Sequence, residues 1–228
     1  MSSVKEGTIL LLSTLFFGVI NAQDYPIKSW TYVSVHNGDF DNSKRIKEGF
    51  SNHTLITVKA QPVAVPAKGP GPCTLLDVGE PGGLIVLRQL VVPIDDIDNV
   101  LRLKFYHFTG WNLTRQGEFN VDHLLTLKEE DFWTDPSWDS ALELLAPSIL
   151  FGDWAVNTHR VDGKLPAYGC VLACDHITIT IPLGGDEFRD PIPYDMTRIG
   201  PKYPLINPPD GFVNPCDKDL CLCDKKGA

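Results

Sequence analysis

The chain has 228 residues, with 20 Lys and Arg against 29 Asp and Glu, a formal charge of −9 and a pI near 5.0. A composition that is 43% hydrophobic and 21% charged excludes a disordered tail and a multi-pass membrane protein, and 19 Gly with 18 Pro argue against a helical bundle or coiled coil. The negative charge opposes nucleic-acid phosphates and anionic lipid surfaces as partners.

Met1–Ala22 reads as a secretory signal peptide. Lys5 precedes an apolar run from Ile9 to Ile20 that is too short to span hydrocarbon, and Ala22 offers a small residue for cleavage. A single β-rich domain is then expected over 23–200, with a Pro- and Cys-rich tail over 201–228 packed on it and no membrane anchor. Ser29–Val35 alternates weakly and predicts a strand, closed by a turn at His36-Asn37-Gly38-Asp39. Asn52-His53-Thr54 fits the N-glycosylation pattern, which places Asn52 at the surface of a secreted chain. Thr54–Ala60 predicts a further strand, and Gln61–Pro72, with four Pro and two Gly, a long connection.

Gly83–Ile94 is almost continuously apolar and suits a strand buried on both faces. Asp95, Asp96 and Asp98 follow it. Adjacent carboxylates at a strand end are candidate Ca²⁺ ligands, against the competing reading of a solvated acidic loop without EF-hand spacing. Asn99–Phe108 alternates cleanly, with Leu101, Leu103 and Phe105 on one face and Arg102, Lys104 and Tyr106 on the other. Asn112-Leu113-Thr114 supplies a second glycosylation site at Asn112, beside Trp111.

The capping-box pattern Thr126-Leu127-Lys128-Glu129, the Asp135-Pro136 start before Ser137–Leu145, and Pro147 as a stop predict a short helical insert at about 126–146. Phe132, Trp133 and Trp138 crowd that insert. Asp175–Pro182 predicts another strand, with Ile177, Ile179 and Ile181 on its apolar side. Gly184-Gly185-Asp186-Glu187-Phe188 matches the letters of the diguanylate cyclase signature, but too little chain follows for that fold, and the string reads as a turn. The six cysteines, Cys73, Cys170, Cys174, Cys216, Cys221 and Cys223, all follow the leader and point to disulfides rather than zinc, because paired Cys-x-x-Cys spacing is missing.

Together these elements predict a mainly β protein: one antiparallel β-sandwich or barrel-like domain with a helical insert and a disulfide-tethered tail. A Trp soon after the leader is a lipocalin trait. Here, however, Lys28 stands where that family places Gly before Trp30, and the helical insert lies far from the C-terminal helix of such barrels.

Chemistry is sparse. The six His are scattered, and no metallohydrolase, nucleophile-elbow, phosphate-loop or dinucleotide pattern occurs. Glu129, Glu130 and Asp131 suit the first turn of a helix better than a facing acid pair. The aromatic residues remain, with Trp133, Trp138 and Tyr106, flanked by Arg102 and Lys104, as ligand-binding candidates. The expected function is therefore extracellular binding of a carbohydrate or a protein, without a cofactor unless Ca²⁺ binds. The alternatives are a secreted carbohydrate-active enzyme using paired carboxylates and a carrier of a small apolar ligand.

Overall fold

The computed structural model describes residues 28–49, 53–80, 84–95, 100–109, 120–134, 139–154, 169–180 and 193–217. Its strands are β1 Gly38–Asp41, β2 Thr57–Val63, β3 Cys73–Glu80, β4 Leu84–Asp95, β5 Val100–Phe108, β6 Phe132–Thr134, β7 Ser140–Ala146, β8 Ile149–Trp154, β9 Gly169–Ala173, β10 His176–Thr180 and β11 Tyr194–Arg198. The sheet order β4-β3-β2-β1-β11-β10-β9-β8-β7-β5 is closed by a β4–β5 pairing, and every pair is antiparallel. The result is a closed ten-strand barrel. Strand β6 extends the wall by pairing with the end of β5, Phe108 opposite Phe132 and Tyr106 opposite Thr134. Among the described residues, closure pairs the two outer strands of the sheet order, β4 and β5, with each other.

The period-two pattern decides which side chains fill the barrel. Leu101, Leu103 and Phe105 of β5 meet Phe40, Val58, Ala60, Val91, Leu142, Leu150, Leu172, Ile177 and Met196 in one buried core. Burial of such side chains stabilises by roughly 1.5–3 kcal/mol each. Gly152 of β8 belongs to this packing. A Cβ there would run into the Ala141 carbonyl and the Leu142 side chain, so only glycine lets β7 and β8 approach.

The segment expected to be a strand at Ser29–Val35 is instead helix α1, Lys28–Val35, which buries Tyr32, Val33 and Val35 in the barrel core. Its aromatic and β-branched residues favour a strand, but the end of the barrel offers an apolar seat that a short helix fills, and tertiary burial overrides propensity. Asp95, at the end of β4, accepts hydrogen bonds from Ser29 N and Ser29 Oγ, each at 3.0 Å, so the helix start is capped from the barrel wall. Helix α1 thus closes the end where β4 finishes and β1 begins. The short helix α2, Ser43–Lys47, follows β1.

The C-terminal segment lies against the same end. Cys174, in the β9–β10 turn, is joined to Cys216 by a disulfide. Asn37 Nδ2 donates to the Tyr203 carbonyl and Tyr203 N donates back to Asn37 Oδ1, both at 2.9 Å. The ring of Phe212 packs on Trp30 of α1 at 6.2 Å. A tail held by a cross-link is as expected, but Cys73 departs from the expectation of full pairing. It is a buried thiol whose pKa burial pushes up to about 12, against the opposing charge of Lys68. Cys170 is buried in the core, while Cys221 and Cys223 lie outside the described residues.

The expected helical insert at 126–146 is corrected by the structure. Val121–Thr126 and Glu129–Asp131 are short 3-10 segments of six and three residues, followed by β6 and then by β7 over Ser140–Ala146. Ala, Leu and Glu favour a helix locally, but β7 supplies the strand that β5 and β8 both need for closure, with Ser140 and Leu142 turned inward. The cap also shifts along the chain: Asp131 accepts from Lys128 N at 2.8 Å, rather than Glu129 reaching back to Thr126.

Candidate ligand-binding site

At the end of the barrel opposite α1, the inward face of the wall turns polar. His107 continues the inward row Leu101, Leu103, Phe105 on β5, and Gln89 is opposite it on β4. Gln89 is buried, and its Nε2 donates to His107 Nε2 at 3.2 Å, which leaves the imidazole proton on Nδ1. Strand β6 places Trp133 directly opposite His107, on the same face. The two rings stack with centroids 4.2 Å apart and planes 15° from parallel. Trp133 nevertheless remains 50% exposed. One indole face is therefore held by an imidazole that is itself held by a buried amide, and the exposed part of the ring stands at the rim. Such a stack is worth about 0.5–1.5 kcal/mol beyond burial, and it presets the indole for a flat partner.

The sheet separates the other aromatic candidate from this group. Tyr106 points to the outer face, where its ring meets Phe132 edge-on and Lys68 Nζ lies 3.7 Å from its centroid and 4.4 Å from that of Phe132. The Lys68 side chain is only 4% exposed and donates to Glu129 Oε1 at 2.6 Å. Burial raises the Tyr106 pKa, with the charges of Glu129 and Asp139 adding to it. This buried cation with two aromatic faces ties the outer layer of 3-10 turns to the barrel, as Val63, Val65, Leu75, Leu90, Phe108 and Leu124 do by packing.

Arg102 and Lys104 also lie on the outer side of β5, away from Trp133. Asp95 is engaged by α1, whereas Asp96, Asp98, Trp138, Asn52 and Asn112 lie outside the described residues. Among the described residues no group of three or more His, Cys, Asp and Glu could hold a metal ion. The three acids read as helix-start residues each have local partners: Glu129 takes Lys68, Glu130 lies 3.9 Å from Lys128 Nζ, and Asp131 caps the turn.

Sequence reasoning missed Gln89 and His107, although both carried a signal. Each is a polar residue set in an otherwise apolar row, Gln89 within Gly83–Ile94 and His107 next after Phe105 on the inward face.

The fold and the rim group define a closed antiparallel barrel, plugged at one end and bearing an aromatic and polar group at the other. No family model matches the chain, and no curated protein does. Among solved structures, the T-type phycobiliprotein lyase CpeT from Prochlorococcus phage P-HM1 is similar, at 10% sequence identity and a TM-score of 0.47, over 75% of this chain and 98% of that one.

Proposed function

We propose that this is an extracellular binding protein that takes a ring-bearing ligand, a carbohydrate first, on the exposed face of Trp133. One observation carries this reading: an indole half exposed at the barrel rim yet fixed from behind by His107 and Gln89. A flat apolar surface beside hydrogen-bonding groups is what a sugar ring needs, because its C–H face packs on the indole while its hydroxyls find polar partners. The extracellular setting rests on the leader pattern and the two glycosylation sites of the sequence.

The test is a glycan array probed with the full chain secreted from a eukaryotic host, alongside Trp133→Ala. Saturable binding of particular glycans that the variant loses supports the reading. Binding that survives the substitution, or none on the array, counts against it.

A protein partner is the second reading, and a separate surface favours it. Leu145, Ile149 and Phe151 on the β7–β8 hairpin are 59%, 37% and 46% exposed, an apolar patch on the outer wall.

A further inference from the structure

The plugged end contains a group that neither the core nor the rim site uses. Arg198 is the last residue of β11, inward-facing in the same row as Tyr194 and Met196, and is paired with Phe40. Its stem runs beside Gly38. That residue has φ +133, a backbone conformation that favours glycine, and the position of its missing Cβ lies in van der Waals contact with the Arg198 stem, 3.4 Å from Cδ and 3.5 Å from Cγ. The guanidinium carbon stands 5.4 Å from the Phe40 ring centroid. The side chain is thereby seated before any ligand arrives.

Its Nε and Nη2, the two donors of one guanidinium edge, are buried and bond to nothing. Asp175 acts on it through space: burial lowers the Arg198 pKa and the Asp175 charge opposes that. A second buried nitrogen lies near the same phenyl ring. Tyr32 Oη and His36 Nδ1 are 2.8 Å apart, a hydrogen bond that either group can donate. His36 Nε2 is buried without a partner, and the ring lies 6.4 Å from Phe40. The two buried guanidinium donors thus lack an acceptor, a costly arrangement unless one completes it. The Nε–Nη2 edge is the one that receives a carboxylate or another oxyanion through two parallel hydrogen bonds.

We infer that the Nε–Nη2 edge of Arg198, set between Gly38 and Phe40 at the plugged end of the barrel, binds a small oxyanion of the carboxylate class. The residue as a whole is half-buried but the edge itself is covered, so an anion reaches it through a local opening of the plugged end. This site stands apart from the rim and does not depend on the reading given for Trp133.

The experiment follows the arginine side-chain Nε–H signals of the ¹⁵N-labelled full chain by NMR. Sodium acetate and sodium phosphate are titrated separately, each against sodium chloride at equal ionic strength. The Arg198 signal, assigned as the one missing in Arg198→Lys, moves saturably with acetate. Acetate alone indicates a carboxylate-bearing ligand, whereas a response to both indicates oxyanions in general. A signal that stays still with both anions, or that follows chloride equally, overturns the inference. In parallel, acetate at about a hundredfold over its dissociation constant raises the Tm of the unaltered protein by roughly 5–10 °C and leaves Arg198→Met unmoved. An equal rise in that variant overturns the inference too. If the variant does not fold, the NMR titration of the unaltered chain decides alone.

Discussion

Acidification tests the packing of the barrel end through one residue. His36 is buried beside Tyr32 and Phe40, and burial alone pushes its pKa from 6.5 to about 4. The unfolded chain takes up this proton first as pH falls. The contribution of a neutral His36 is therefore complete above about 6.5 and is lost progressively between about 6.5 and 4. At 1.36 kcal/mol per pH unit, that gap of roughly 2.5 is worth about 3 kcal/mol, a large fraction of the 5–15 kcal/mol typical of a domain. Urea unfolding followed by tryptophan fluorescence, from about pH 7.5 down to about pH 4.5, measures it directly. His36→Gln keeps a hydrogen-bonding group for the Tyr32 hydroxyl and removes the titration. Its stability at neutral pH is expected to be lower, but its decline toward acid shallower by about 3 kcal/mol. Parallel pH curves for the two proteins would refute the reasoning.

Removing the Cys174–Cys216 bridge, whose ends are 42 residues apart, is expected to cost about 4 kcal/mol on the loop-entropy estimate, read as a fall in urea midpoint on Cys174→Ser with Cys216→Ser. Gly152→Ala drives a methyl into the β7 backbone and is expected to lower stability by at least about 1–3 kcal/mol, measurable by thermal unfolding. Asp195 is bonded by Arg45, His176 and Thr178, and although burial favours its neutral form these partners hold its carboxyl below the usual range. The stability this gives is present above the ordinary aspartate pKa and is lost as pH falls below it. Asp195→Asn should flatten the stability curve there and leave neutral-pH circular dichroism unchanged.

The sequence makes the barrel wall legible where strands alternate or run apolar, as in Gly83–Ile94, Asn99–Phe108 and Asp175–Pro182, because burial on one or both faces leaves a periodic record. It misleads where closure of the ring decides the outcome. Ser140–Ala146 has the composition of a helix and becomes β7 because two neighbours need its backbone, while Lys28–Val35 has the composition of a strand and becomes the plug. Trp133 is readable as a candidate because an aromatic cluster is visible in the sequence. Its partners are not, since Gln89 and His107 meet it only through pairing across β4, β5 and β6. The same pairing explains why Tyr106, Arg102 and Lys104, which share a face in the sequence, sit on the other side of the wall. Nor does any local pattern announce Arg198, which is set against Phe40, distant in the chain, on the adjacent strand.

The most direct test of the account is the indole Nε1–H resonance of Trp133 during titration with the glycan that binds best on the array, using ¹⁵N-tryptophan-labelled full chain. This one indole signal, assigned by its absence in Trp133→Phe, is expected to move progressively and saturate while the signals of the other tryptophans stay in place. A glycan that binds without moving the Trp133 signal would contradict it.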